Sequence, residues 1–250
     1  MNVQSIAWIG FAAFFVASLA CGIRLVALWR RNGERPELLI GVAVLGIGPV
    51  GFGFITIGQL VSENWSALAS LFLGLGVIAT AVGIFSKCVF NYTVYHADSR
   101  PVRMLVGVVG VVLAGCVVWP FLHGFDSLTQ VDSVYLARSG SQIGCLLWGA
   151  IEALRYWRIM RRRMRIGLAD PVVTNRFLLW GIGAGAAGLG TAVGLGAQLV
   201  IGLPPLEVPW VTLSSSLHGL VAAVAMWFAF IPSAAYRRFI VERAARVSEI

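Results

Sequence analysis

Lysine is nearly missing from this 250-residue chain: Lys87 stands alone among 19 basic residues, and the other 18 are arginine. Charge of either sign is scarce. Asp, Glu, Lys and Arg make up 12% of the chain, where a soluble domain carries about 25%. Cysteine is sparse too: Cys21, Cys88, Cys116 and Cys145 all fall in or beside apolar stretches, and none has Cys-x-x-Cys spacing. That pattern argues against a disulfide framework and a structural zinc site, and reads as small buried hydrophobes. What is abundant is apolar surface, with 58% hydrophobic residues and a mean hydropathy of +0.85. A water-soluble domain is excluded, and so is a disordered chain, which needs low hydrophobicity and high charge. The composition is that of an integral membrane protein.

The preference for arginine, beside 29 glycines and many Ala and Val, matches the coding bias of a GC-rich genome. A need for the bidentate guanidinium fork is the alternative.

A bilayer core of about 30 Å takes about 20 apolar residues as a helix. Six such runs are clear, from Ser5 to Trp29, Leu38 to Val61, Ser66 to Phe90, Met104 to Phe125, Phe177 to Gly202 and Val211 to Tyr236. A seventh, between Val134 and Met160, is interrupted by Arg138, Gln142, Glu152, Arg155 and Arg158. The first run is too long for a cleavable signal, lacks a basic leader and is followed by Arg30 and Arg31, so it is expected to stay in the mature protein.

Charge placement favours seven spans. If all seven cross, 18 of the 19 basic residues and 7 of the 11 acids fall on one side, leaving Arg138 with Glu63, Asp126, Asp132 and Glu207 on the other. The positive-inside rule then puts the N-terminus outside and the C-terminus in the cytoplasm. The expected fold is an all-α integral membrane protein, residues 1–250 forming one bundle of seven transmembrane helices in a bacterial inner membrane. The tail adds a short amphipathic helix, with Tyr236, Phe239, Ile240, Arg243 and Val247 on one face.

The same asymmetry removes nucleic acid as a partner. The arginine clusters at 155–165 and 237–246 lie where anionic inner-leaflet lipids would hold them, or where an acidic protein partner would dock. Helices two and six are rich in glycine. Gly181-x-x-x-Gly185 and Gly190-x-x-x-Gly194 allow close packing within the bundle, and a homodimer face is the alternative. Pro49, flanked by Gly48 and Gly51, predicts a kink that is either static or a hinge.

Helix five carries most of the polar groups. Arg138, Ser141, Cys145, Trp148, Glu152 and Arg155 recur at spacings of three or four and share a face. A charged stripe is too costly to face lipid, so it should point inward. Glu152 is the only acid deep in the apolar region, and its candidate partners are Arg155, Arg24 and Lys87. Those four residues form an expected charged hub in the cytoplasmic half. In the outer half, Gln59, Arg138, Gln142, Gln198, Ser214 and His218 are expected to line a polar pocket.

No metal or cofactor is expected. His96, His123 and His218 lie on three segments, and a catalytic zinc needs three converging ligands. Retinal proteins require a helix-seven lysine, and residues 211–236 contain none. The stretch Ile231-Pro232-Ser233-Ala234-Ala235-Tyr236 loosely resembles the Pro-x-x-Tyr ending of G-protein-coupled receptors. Its tyrosine is displaced by one position and no Asp/Glu-Arg-Tyr closes helix three, so it reads as convergence. The Pro-Gln signature of triple-helix-bundle carriers is also absent.

The reading that follows is a standalone seven-helix sensory or scaffolding subunit working through a cytoplasmic or membrane partner protein. A small anion or proton carrier is the alternative, with Arg138, Gln142, Glu152 and Arg155 along its path. A membrane-embedded enzyme built on Ser214–Ser216 and His218 comes third.

Overall fold

The computed structural model describes residues 3–62, 65–125, 131–203 and 207–248, with side chains from Trp8 to Ala244. Glu63, Asn64, Asp126 and Glu249, and the side chain of Val247, lie outside the described residues. Every regular element among the described residues is helical. In chain order they are α1 (Val3–Asn32), α2 (Arg35–Val61), α3 (Ser66–Tyr95), α4 (Arg100–His123), α5 (Ser133–Arg165), α6 (Pro171–Ile201), α7 (Pro209–Phe230) and α8 (Ala234–Ser248). Six of them, α1 to α4, α6 and α7, are long and apolar enough to cross a membrane, as in a multi-pass membrane protein. α5 is as long as any, at 33 residues, but charge interrupts its apolar character.

Several helices run further toward their arginine-rich ends than their apolar runs suggest. α3 continues past Phe90 to Tyr95, α5 past Met160 to Arg165, and α6 begins at Pro171 rather than Phe177. A hydrophobic run stops at its first polar group, whereas a helix stops at a breaker. The breakers here are Gly33 and Gly167, both at positive φ, and Asp170-Pro171. The Asp170 carboxylate caps α6 by accepting the Val172 and Val173 amides at 2.7 and 2.9 Å. The last apolar run is the opposite case: α7 ends at Phe230, and Pro232 separates it from α8 rather than letting one helix reach Tyr236.

The helices pack as a ring in which α1 touches α2 and α7, α7 touches α6, α6 touches α5, and α3 closes the circuit between α2 and α5. α4 lies against α3 and α5. Small residues set these distances. A Cβ on Gly46 of α2 would stand 2.6 Å from the Ala79 carbonyl and 2.9 Å from Gly83 Cα of α3. α2 bends at the same place: Gly48 leaves helical geometry at φ −84 and ψ −106, just before Pro49, which supplies no amide to the ladder. On α6, a Cβ at Gly181 would stand 2.6 Å from Leu154 of α5, and one at Gly190 2.9 Å from His218 of α7. Both glycines serve packing inside the bundle.

The outer surface is apolar. Val111, Leu60 and Val200 are 75%, 72% and 86% exposed, which suits contact with hydrocarbon. The tail helix α8 leans on α6 through Asn175, whose amide donates to the Tyr236 hydroxyl at 2.9 Å. Tyr236 and Ile240 are half-buried, while Phe239 is exposed.

Candidate functional site: a carboxylate junction between α3 and α5

Cys145, Gly149 and Glu152 follow one another at helical spacing on the buried face of α5. This face meets the end of α3, and Glu152, with its side chain 9% exposed, is drawn into a polar contact there. One oxygen, Oε1, does both jobs: His96 Nε2 lies 3.1 Å away, and the Arg155 guanidinium donates to it from 3.1 Å. The partners differ in setting. His96 is 29% exposed and its ring stacks on Trp148 at 5.9 Å, whereas Arg155 is 64% exposed. Aromatic rings wall the junction, with Tyr95 against Tyr156 at 5.1 Å and Tyr156 against Phe177 of α6 at 5.7 Å.

Lys87 occupies a separate site deeper in the bundle. Its ammonium donates to Asn91 Oδ1 at 3.1 Å and lies 4.8 Å from the Phe90 ring centre and 5.9 Å from that of Trp180. Asn91 in turn donates to the Cys145 carbonyl of α5 at 3.1 Å. The lysine is buried, and the aromatic faces offer its charge a partial substitute for water. Phe90 meets Trp180 edge to face at 5.1 Å and Trp180 meets Phe230 at a tilt at 5.5 Å, tying α3 to α6 and α7 around it. Gly149 makes the space, because a Cβ there would stand 2.8 Å from Lys87 Nζ and 3.0 Å from Asn91 Oδ1.

The expected four-residue hub is therefore divided. Glu152 and Arg155 are brought together, Lys87 is bound elsewhere, and Arg24 is exposed on α1. The buried stripe of α1 is Ala17, Cys21 and Leu25, so Arg24 turns outward, where its long stem can carry the guanidinium to the interface. His96 is the participant absent from the expected hub, because it lies beyond the apolar run that ends at Phe90. Its signal was the lack of any glycine or proline between Phe90 and Pro101, which leaves α3 free to continue.

The outer residues form pairs rather than one pocket. The Tyr135 hydroxyl donates to Gln198 Oε1 at 2.6 Å, and Arg138 lies over the Tyr135 ring at 5.5 Å. Gln142 reaches the Thr191 hydroxyl at 3.5 Å. On α7, His218 Nδ1 is 2.7 Å from the Ser214 carbonyl, a contact within its own helix. Gln59 is exposed on α2. An open groove of about 370 Å³ between α6 and α7 includes His218, but Gly185, Leu189 and Leu217 give it an apolar wall, and none of the other five residues lines it.

Between Arg138 and Glu152 the buried face of α5 is packed. Cys145 joins Ala81, Ile84, Cys88, Val106 and Leu113 in one core cluster, and its thiol lies 3.6 Å from the Ile84 carbonyl. This cluster sets apolar packing between the Gln142 contact and the Glu152 junction. No protein-family model, curated protein or solved structure matches the chain.

Proposed function

We propose that this chain is a seven-helix sensory or scaffolding subunit of a bacterial inner membrane, with its N-terminus outside and its C-terminus in the cytoplasm, acting through a partner protein. Crossing by α5 is supported by its alignment with its neighbours. Tyr135 meets Gln198 near one end of α6, and Glu152 meets His96 at the opposite end of α3. Orientation rests on the 18 basic residues that then share one side.

The observation that carries the functional reading is the shared oxygen of Glu152. It binds the end of a membrane helix through His96 and, through Arg155, the first turn of an arginine-rich cytoplasmic extension. A change in bundle packing that moves α3 against α5 alters this junction, and the extension presents the change to a partner. Such coupling requires two arrangements that differ in their contacts. Holding and releasing Arg155 provides them.

The test is in-cell photo-crosslinking from Asp98 and Ile166, both exposed near the inner ends of the helices. The reading expects a discrete protein adduct whose yield changes in Glu152→Gln while the variant stays folded in the membrane. Absence of any adduct from both positions, or identical yields in a folded variant, would overturn it.

A further inference from the structure

α3 is 30 residues long, about 45 Å of helix, and this matches a bilayer including its headgroups, about 40–45 Å. With Ser66 at the outer edge, a helix of that length brings Tyr95–His96 to the inner edge of the membrane. α5 does not stop there. From Glu152, level with His96, it continues unbroken to Arg165, about 20 Å further into the aqueous phase.

This projecting stretch carries Arg155, Arg158, Arg161, Arg162, Arg163 and Arg165 and no acid. Arg155, Arg158, Arg162 and Arg165 recur at spacings of three and four and share a face, and all four are exposed. Among the described residues, no carboxylate pairs with Arg158, Arg162 or Arg165. Asp170, the acid of the connecting turn, is engaged in capping α6. Like charges three and four residues apart repel one another on a helix. Apolar side chains lie beside them, with Ile159 46% and Ile166 69% exposed.

We infer that this stripe is the docking site for an acidic, amphipathic segment of a cytoplasmic partner protein, with carboxylates matching the arginines and apolar side chains covering Ile159 and Ile166. The inference deepens the reading above and rests on it. Guanidinium forks bind carboxylates bidentately, and an exposed apolar row at this distance from the hydrocarbon calls for a protein surface rather than headgroups. Docking also reaches the junction. Arg155 is both the first member of the stripe and a ligand of Glu152, so a partner carboxylate competes with Glu152 for the same guanidinium. By linkage, weakening the Glu152–Arg155 contact strengthens docking.

The test uses the full chain in phosphatidylcholine nanodiscs and a labelled synthetic peptide helix bearing Glu at every third or fourth position with Leu beside it. Wild type should bind the peptide in a salt-sensitive manner. R158E/R162E/R165E should weaken binding at least about tenfold, Glu152→Gln should strengthen it, and R237E/R238E on α8 should leave it unchanged. Should the triple reversal fail to fold, R158Q/R162Q is expected to weaken binding in the same direction. Equal affinity in the folded stripe variants, equal loss in the α8 variant, or capture of phosphatidylglycerol vesicles in place of the peptide would overturn the docking site. If the native partner adduct from Asp98 survives the triple reversal, the docking site falls and the coupling reading stands. If no adduct forms from either Asp98 or Ile166 in wild type, the coupling reading falls first.

Discussion

Glu152 Oε1 lies 3.1 Å from His96 Nε2, joining the middle of α5 to the end of α3 through a carboxylate that is itself shielded from solvent. The third member, Arg155, is largely exposed. This unequal exposure makes the junction easier to break from one side than from the other.

Removing both partners of the carboxylate should cost more than removing the acid. His96→Ala with Arg155→Ala leaves a buried carboxylate unpaired, with a loss of about 3–5 kcal/mol. Adding Glu152→Gln to that pair should recover most of it, because the buried charge is gone. Thermal unfolding in detergent measures both steps, and a triple variant no more stable than the double would contradict the assignment.

Gly149→Ala should destabilise the bundle by about 1–3 kcal/mol. The new methyl would press on Lys87 Nζ and Asn91 Oδ1, which Phe90 and Trp180 hold in place. Gly144→Ala, one turn and a half earlier on α5 with nothing within 4 Å of the added Cβ, should be close to neutral. Equal melting temperatures for the two variants would show that the lysine recess is loosely packed.

At the α2–α3 crossing, the neighbours of Gly46 and Gly83 are backbone atoms. A Cβ at Gly83 would stand 2.7 Å from the Ile47 nitrogen. Alanine at either position should sharply lower the yield of folded protein, more than Gly149→Ala does, since the backbone has less room to yield than a side chain. Wild-type yield in both variants would mean that the two helices can separate at little cost.

Seven crossings predict opposite locations for the two termini. A reporter that fluoresces only in the cytoplasm should be active when fused after α8, and a phosphatase active only outside should work when fused before α1. A fluorescent reporter active at both ends, with the phosphatase inactive at either, would reduce the crossings to an even number and remove α5 from the membrane.

The pattern of these helices was legible where one physical signal dominated. Six apolar runs located six helices, and Pro49 among glycines located the break in α2. The three-residue step from Glu152 to Arg155 identified their contact. What the sequence concealed was the pairing of residues far apart in the chain. Glu152 lies within α5 and His96 just past the end of α3, and no periodicity relates them. Lys87 seemed a natural partner for Glu152 at similar depth, yet the aromatic faces and Asn91 compete for it successfully. Arg24 shared that depth but lies opposite the buried stripe of α1, an orientation that only packing decides. The outer polar residues were read as one pocket because each lies near the same end of its helix. Depth alone does not make them converge, and local partners such as Ser214 for His218 satisfy them first.

The most direct test of the junction is a distance between spin labels at Asp98 and Ile166. The native cysteines Cys21, Cys88, Cys116 and Cys145 are all buried, which favours labelling of introduced ones. In wild type, a junction that fixes the α5 extension against the α3 end gives one narrow distance distribution. In Glu152→Gln, with the neutral amide no longer holding Arg155, the distribution should broaden or gain a second population. An unchanged narrow distribution in a folded Glu152→Gln protein would contradict the claim that this carboxylate couples the bundle to its cytoplasmic extension.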